Sequence, residues 1–552
     1  MTHDPRWWQR AVIYQIYPWS FQDSNGDGIG DLPGIISRLD HLNDGTPTSL
    51  GVDAIWLSPV YPSPMKDFGY DVADYCNIDP RFGTLADFDR LLTEAHRRGI
   101  RILMDLVLNH TSDQHPWFLD SRASRRSAKR DWYLWADARA NGQLPSNWSA
   151  VFGGPAWEWD EATGQYYLHS FLKEQPDLNW RNPEVRQAMF DVVRFWLDRG
   201  VDGFRLDAIN WIGKDWSWPD NPSRLALRSY LRQIHVHDRD QPETHEVLRS
   251  LRTVVKTYPD AVLVGEASSD TPGGPAAFYG TGTDELHLVF NFKLLKSPWS
   301  AHRFGRVIRE WNRAVPADGW PTQVLSNHDQ SRHYTRYGRR GDPDTTARRA
   351  RAAALLLLTL RGTPFVYYGE EIGMRDGSLR YGELRDPYTR RYWPFFTGRD
   401  PARTPMQWDT SPHAGFTIAT PWLPVSANYQ EVNWERESRD TDSLLSLYRR
   451  LIHIRKTCPA LIVGRYHEFA GGPADCLIYG RYAPDGLSDL PGERLLVAIN
   501  FSHRVQQFAL HIVKTRGTLL LSTDSRRRQT AFDPERTTLN PEEGILVRLN
   551  PS

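Results

Sequence analysis

Cysteine is scarce in this sequence: of 552 residues only Cys76, Cys458 and Cys476 are cysteine. They are odd in number and none sits in a close pair. That excludes a disulfide framework and a thiolate metal site, and it fits a reducing, cytoplasmic compartment. Net charge is absent, since 67 Lys+Arg balance 67 Asp+Glu. The balance argues against a nucleic-acid binder and against a charged tail. Long hydrophobic runs are missing too. The longest, Ala352 to Leu360, is far too short to span a bilayer and reads as a buried helix. Met1 to Arg10 has no apolar stretch of the kind a secretory leader needs. Nucleic acid and membrane are therefore not expected partners, and a monomer or small homo-oligomer is expected.

Aromatic residues, by contrast, are abundant: 22 Trp, 23 Tyr and 22 Phe. Most fill cores, but many stand beside Gly, Pro, Asn and Asp in loops, where exposed rings make stacking platforms for flat ligands. The length implies one large domain with one or two smaller ones.

Short apolar, β-rich runs recur, each followed by loop residues and a helical pattern. They are Val12–Ile16, Ala54–Leu57, Ile102–Val107, Gly203–Leu206, Val262–Val264, Leu286–Phe290, Gln323–Leu325 and Phe365–Tyr368. Eight strands alternating with helices define the α/β class, and closing them gives a (β/α)8 TIM barrel. Two connections are too long to be simple loops. Residues 109–176 are expected to form an inserted, loop-rich subdomain after the third strand. Residues from Gly369 to about Asp442 form a second excursion, before a helix marked by Leu444, Leu447, Leu451 and Ile454. From 464 to 552 short strands split by turns predict a C-terminal all-β sandwich domain. The barrel itself is assigned 1–108 and 177–463.

Four strand ends carry the chemistry: Asp105-Leu-Val-Leu-Asn109-His110, Gly203-Phe-Arg205-Leu-Asp207-Ala208, Val264-Gly-Glu266-Ala and Ser326-Asn-His328-Asp329-Gln330. In a barrel these converge at the C-terminal mouth. One acid at a strand end is more often a helix cap; four in this order point to one pocket. Convergent carboxylates suit glycoside cleavage, in which one acid attacks as an anion and another donates a proton. Arg205 shares a strand face with Asp207, so it is expected to keep that carboxylate ionised. Glu266 has no cation near it in sequence and is expected to retain a proton.

These segments resemble the four signature regions of the α-amylase family of glycoside hydrolases (family 13), and the chain looks like its α-glucosidase and oligo-1,6-glucosidase branch. The resemblance runs from about Trp7 to the C-terminus. It implies Asp207 as nucleophile, Glu266 as acid/base and Asp329 as transition-state stabiliser, with His110, His328 and Arg205 holding the sugar. Asp67-Phe-Gly-Tyr70 resembles the branch's motif for the non-reducing end, Asp67 binding hydroxyls and Tyr70 stacking on the ring. Arg399 and Arg403 match arginines near the cleaved bond, and Arg399 paired with Asp67 would seal the pocket behind one glucose. Gln175 matches another signature. Phe152 and Phe171 are candidate walls. Ala208, after the nucleophile, is implied to favour α-1,4 over α-1,6 linkages. The expected activity is a retaining exo-α-glucosidase acting on maltose and short α-glucosides. The alternatives are an oligo-1,6-glucosidase, or a sucrose- or trehalose-acting transglucosylase or isomerase on the same scaffold.

Near the N-terminus, Asp23, Asn25, Asp27 and Asp31 space oxygen ligands through a Gly-rich loop. The pattern suits a hard cation. In the resembled branch it is a structural Ca2+ or Mg2+ site that adds the Ile29 carbonyl. No catalytic cofactor is expected.

Overall fold

The computed structural model describes residues 5–267, 273–396, 398–469, 472–483, 492–511, 513 and 515–550. Eight parallel strands run in chain order: β1 (Ile13–Ile16), β2 (Ala54–Leu57), β3 (Arg101–Val107), β4 (Gly203–Asp207), β5 (Val262–Gly265), β6 (Leu288–Val289), β7 (Thr322–Val324) and β8 (Thr363–Tyr367). β1 to β6 pair in succession, β7 pairs with β8, and β8 returns to β1 with Phe365 opposite Ile13. No ladder joins β6 to β7. There the Thr322 hydroxyl donates to the Val289 carbonyl at 2.8 Å. The sheet is thus a nearly closed (β/α)8 barrel.

Alternation along each strand sorts the side chains. Ile13, Ala54, Trp56, Leu103, Val262, Val264, Leu288 and Phe365 fill the barrel interior. The intervening Tyr14, Ile55, Phe204, Leu206 and Leu263 meet the surrounding helices. Continuing the inward parity toward the C-terminal ends brings up Gln15, Asp105, Arg205, Asp207 and Glu266. Gly203 sits at φ 151° with the Val262 carbonyl 2.2 Å from where a Cβ would stand, so β4 and β5 approach closely only because it is glycine.

The sixth strand is shorter than its apolar run suggests. Leu286 bonds back to Phe278 and Asn291 caps the next helix, which leaves two residues for the ladder. The apolar run Ala352–Leu360 lies almost wholly in the helix Pro343–Thr359. Between β3 and β4 a three-stranded antiparallel sheet (Trp135–Ala136, Gln165–Leu168, Trp157–Asp160) packs on its own small core around Trp148 and Trp157. The buried Lys214–Asp177 ion pair, at 2.7 Å, ties this region to the barrel.

The C-terminal region folds as a six-stranded antiparallel sheet with a two-stranded sheet beside it. A buried arginine of the sheet joins it to the barrel, and a second, on the helix Leu444–Thr457, braces the segment just before β8. Arg481 donates to the carbonyls of Thr359, Leu461 and Gly464 at 2.7–3.0 Å, and Arg455 to those of Leu358, Leu360 and Gly362. Burial pushes the Arg455 guanidinium down to about 10 and Arg481 well below its ordinary value. Among the described residues no helix is long and apolar enough to cross a membrane.

Candidate active site

The mouth of the barrel gathers three carboxylates around one guanidinium. Arg205, rising from β4, is 1 % exposed. Its Nη1 donates to Asp105 and to Asp207, each at 2.7 Å, and its Nη2 to Glu266 at 2.5 Å. A guanidinium is a rigid planar fork, so the bonded oxygens of Asp207 and Glu266 lie within about 7.5 Å of each other. That span admits the spacing of about 5–5.5 Å used by retaining glycosidases. Asp105 has no exposed side-chain surface and is held by the Trp56 indole and the Tyr70 hydroxyl. Asp207, Glu266 and Asp329 retain 11 %, 22 % and 28 %, so these three acids face the pocket.

Asp329 stands opposite, after β7. Arg403 donates to it at 2.9 Å, Arg399 lies at 3.7 Å and His328 Nε2 at 3.3 Å. Burial would raise its pKa, but His328 and the three arginines Arg403, Arg399 and Arg205 outweigh burial and bring it to about 2. The His328 ring lies parallel to that of Tyr70, ring centres 5.5 Å apart, and nearly parallel to that of Tyr17, at 5.8 Å. Burial, aided by Arg403, Arg205 and Arg399 against Asp329, lowers His328 to about 3. His110 is likewise buried and lowered to about 4, and its Nε2 meets the Tyr70 carbonyl and the Gln175 amide.

One wall is closed by a three-way ion pair. Arg399 Nη2 donates to Asp67 and to Asp386, both at 2.6 Å, and Gln175 adds a bond to Asp67 at 3.2 Å. The Arg399 guanidinium lies over the Phe152 ring, which contacts Phe171; Phe171 in turn packs on His110 and Trp211. The structure therefore brings Asp67, Tyr70, His110, Phe152, Phe171, Gln175, Arg205, Asp207, Glu266, His328, Asp329, Arg399 and Arg403 to one end of the barrel.

Two electrostatic expectations need correction. Glu266 does have a cation, because the Arg205 fork reaches both carboxyls. And Asp207 is not simply held ionised: burial, then Glu266, Asp105 and Asp329, raise its pKa well above the ordinary range, with only Arg205 opposing. Sequence reading also passed over Asp105, Gln15, Trp56 and Asp386. Inward parity on β1, β2 and β3 would have found the first three. Asp386 lies in an aperiodic excursion and carries no such signal.

The loop of Asp23, Asn25, Asp27, Ile29 and Asp31 lies apart from this pocket, against Phe416 and Thr417. Asp23, Asn25 and Asp27 each accept from the N–H two residues on, three consecutive side-chain turns at alternate positions. Asp31 differs, because it accepts from Ser24 and caps the helix Leu32–Ser37 through Gly34. Among the described residues no group of three His, Cys, Asp or Glu is placed to hold a metal ion.

A (β/α)8 barrel with paired carboxyls and a facing third acid at its C-terminal mouth defines an enzyme of the glycoside-hydrolase class. The family model for the alpha-amylase catalytic domain matches residues 15–464. The chain is 48 % identical over 473 residues to a probable alpha-glucosidase of Rhizobium meliloti, covering 84 % of each. It is 41 % identical over 549 residues to an oligo-1,6-glucosidase of Parageobacillus thermoglucosidasius, covering 94 % of each. The crystal structure of an alpha-glucosyl transfer enzyme superimposes with a TM-score of 0.89 at 40 % identity, covering 99 % of this chain and 100 % of that one. The chain belongs to the alpha-amylase family of glycoside hydrolases, in its α-glucosidase branch.

Proposed function

We propose that this enzyme is a retaining, exo-acting α-glucosidase that removes terminal glucose from maltose and short α-linked oligosaccharides. The observation that carries the reading is the single Arg205 fork gripping Asp207 and Glu266 while Asp329 faces them. The two carboxyls share one guanidinium, which puts both beside a single substrate bond. With the charge on Asp207 and the proton on Glu266, the Asp207 carboxylate attacks the anomeric carbon. Glu266 gives its proton to the departing oxygen. Glu266 then takes a proton from water, and that water releases glucose from the glucosyl-Asp207 ester. Asp329, held anionic among arginines, offsets positive charge developing on the ring.

Exo-action is our reading of the Asp67–Arg399–Asp386 ion pairs, which would close the pocket behind one terminal glucose. Ala208, smaller than valine, supports maltose-type substrates. Transfer to a sugar acceptor in place of water is a second outcome of the same intermediate, favoured by the likeness to the alpha-glucosyl transfer enzyme.

A structural Ca2+ or Mg2+ in the 23–31 loop belongs to the same reading. Asn25 and Asp27 and the Ile29 carbonyl would supply the ligands, while Asp23 accepts from Asn25, Gly26, Gly28 and Thr417. Asp31 is already committed to the helix cap. The three cysteines are free, which supports a reducing, cytoplasmic setting.

Rapid-sampling proton NMR of maltose cleavage tests the mechanism. The first product seen should be α-glucose. Initial β-glucose would overturn the retaining assignment.

A further inference from the structure

We propose that Gln15 is a positioning residue that locks His328 in the tautomer carrying its proton on Nε2, so that the imidazole turns a hydrogen-bond donor, and not a lone pair, toward Tyr70 and Asp329 at the sugar pocket. Gln15 is the third residue of β1, 1 % exposed, on the inward parity shared with Ile13. Its amide nitrogen stands 2.8 Å from His328 Nδ1 and 3.3 Å from the Ser58 hydroxyl. An amide nitrogen only donates, so Nδ1 must accept, and a neutral imidazole then keeps its proton on Nε2.

The far side of the ring gives the same answer independently. Nε2 lies 2.8 Å from the Tyr70 oxygen and 3.3 Å from an Asp329 carboxylate oxygen. Tyr70 has its own acceptor, Asp105 Oδ2 at 3.0 Å, so its oxygen is free to receive a proton from Nε2. An anionic Asp329 also demands a donor, not a lone pair. Donation therefore runs one way, from Gln15 to His328 to Tyr70 to Asp105. Asp105 is the carboxylate that shares Arg205 with Asp207.

The ring's other neighbours do not offer Nδ1 an alternative. The Tyr17 ring lies nearly parallel to it with centres 5.8 Å apart, Tyr70 meets it at Nε2, and the Trp56 ring meets it edge-on at 5.9 Å. Arg403 bonds the His328 carbonyl, not its ring. Burial and the nearby arginines keep the imidazole neutral over the working pH range, so its behaviour is set by tautomer and not by charge. A ring with its proton on Nδ1 would set two donors against each other at Gln15, turn a lone pair toward Asp329 and, by accepting from the Tyr70 hydroxyl, break that hydroxyl's bond to Asp105.

The inference deepens the glucosidase reading and rests on it only for its kinetic arm. The first measurement is nitrogen NMR of histidine-labelled enzyme, with the His328 signals assigned by difference against His328→Asn. Wild type should show an unprotonated Nδ1 and a protonated Nε2. A protonated Nδ1 overturns the proposal whatever the enzyme's substrate. The second is Gln15→Met, which keeps volume and removes the donor. It should lower kcat on an aryl α-glucoside about tenfold with little change in KM, and mix the two tautomers. In the His328→Asn background the same change should cost much less. Equal losses in both backgrounds, or wild-type turnover by Gln15→Met, would sink it. Loss of all glucosidase activity in wild type would indict the functional reading while leaving the tautomer measurement intact.

Discussion

Asp67 and Arg399 are 332 residues apart in sequence, and their side chains meet at 2.6 Å. The same Nη2 atom also serves Asp386, so one arginine nitrogen holds two buried carboxylates. Replacing Arg399 by leucine strands both acids. Breaking a buried pair from one side costs about 3–5 kcal/mol, so Arg399→Leu should lower the urea midpoint by that equivalent. It should also open the pocket. Release of long fragments from soluble starch by the variant, but not by wild type, is the expected product pattern.

Asp207→Asn should abolish turnover, with kcat on maltose falling about 10⁴-fold or more. The fold should not suffer. Asp207 is an acid whose folded pKa is raised by burial and by Glu266, Asp105 and Asp329. Such a group binds its proton more tightly folded than unfolded, so it subtracts stability as pH rises above the ordinary carboxylate value. Asparagine cannot ionise. Its melting temperature at pH 7 should therefore equal or exceed that of wild type.

His115 predicts an acid-side loss of stability. Its Nδ1 accepts from the Trp117 N–H and caps the helix Pro116–Ala123. Burial, with a small push from Lys129, lowers its pKa to about 3. The unfolded chain takes up that proton near 6.5 and the folded chain does not. Its stabilising effect is complete above about 6.5 and is lost as pH falls toward 3. His115→Asn keeps a capping acceptor without the titration, so its stability should fall less between pH 6.5 and 4. Parallel urea titrations at the two pH values read the difference.

Chelation tests the ion loop. EDTA should lower the melting temperature by several degrees and leave the rate on maltose at low temperature unchanged, because the loop lies away from the acids. Excess Ca2+ or Mg2+ should restore the melting temperature. Asp27→Ala should melt at the lower temperature with or without EDTA.

Ala208 follows Asp207 in a left-handed conformation, φ 48° and ψ 40°, with its N–H 3.3 Å from Glu266. A β-branched residue is strained there by about 1–2 kcal/mol. Ala208→Val should therefore melt earlier, and its isomaltose-to-maltose rate ratio should rise. One methyl-scale change shifts selectivity by about 1–3 kcal/mol, which a paired rate assay resolves.

The barrel was legible because β-branched runs recur at the spacing of strand–helix units, and the candidate acids of the mouth because each follows such a run. Inward parity alone connects Arg205 to Asp207. What sequence could not tell is how far a side chain reaches. Glu266 stands 61 residues beyond Arg205 yet shares its guanidinium, and that contact changes the electrostatics of the pair. Asp386 was illegible for a different reason. It lies in the 369–442 excursion, where neither helical nor strand periodicity marks a partner. The sixth strand was over-extended because hydrophobicity continues into residues that bond elsewhere.

Arg481 and Arg455 bear on how the molecule comes apart. Each buried cation is tolerated only while carbonyls converge on it, from one segment at Arg455 and from two at Arg481. Peeling the C-terminal sheet from the barrel would pull Arg481 off the end of the helix Pro343–Thr359 and leave both Thr359 and the guanidinium without their shared bond. Unfolding one region first is thus penalised by the other. Heat should dissolve barrel and sheet in one cooperative step, so the C-terminal region acts less as an appendage than as the clasp of the whole chain.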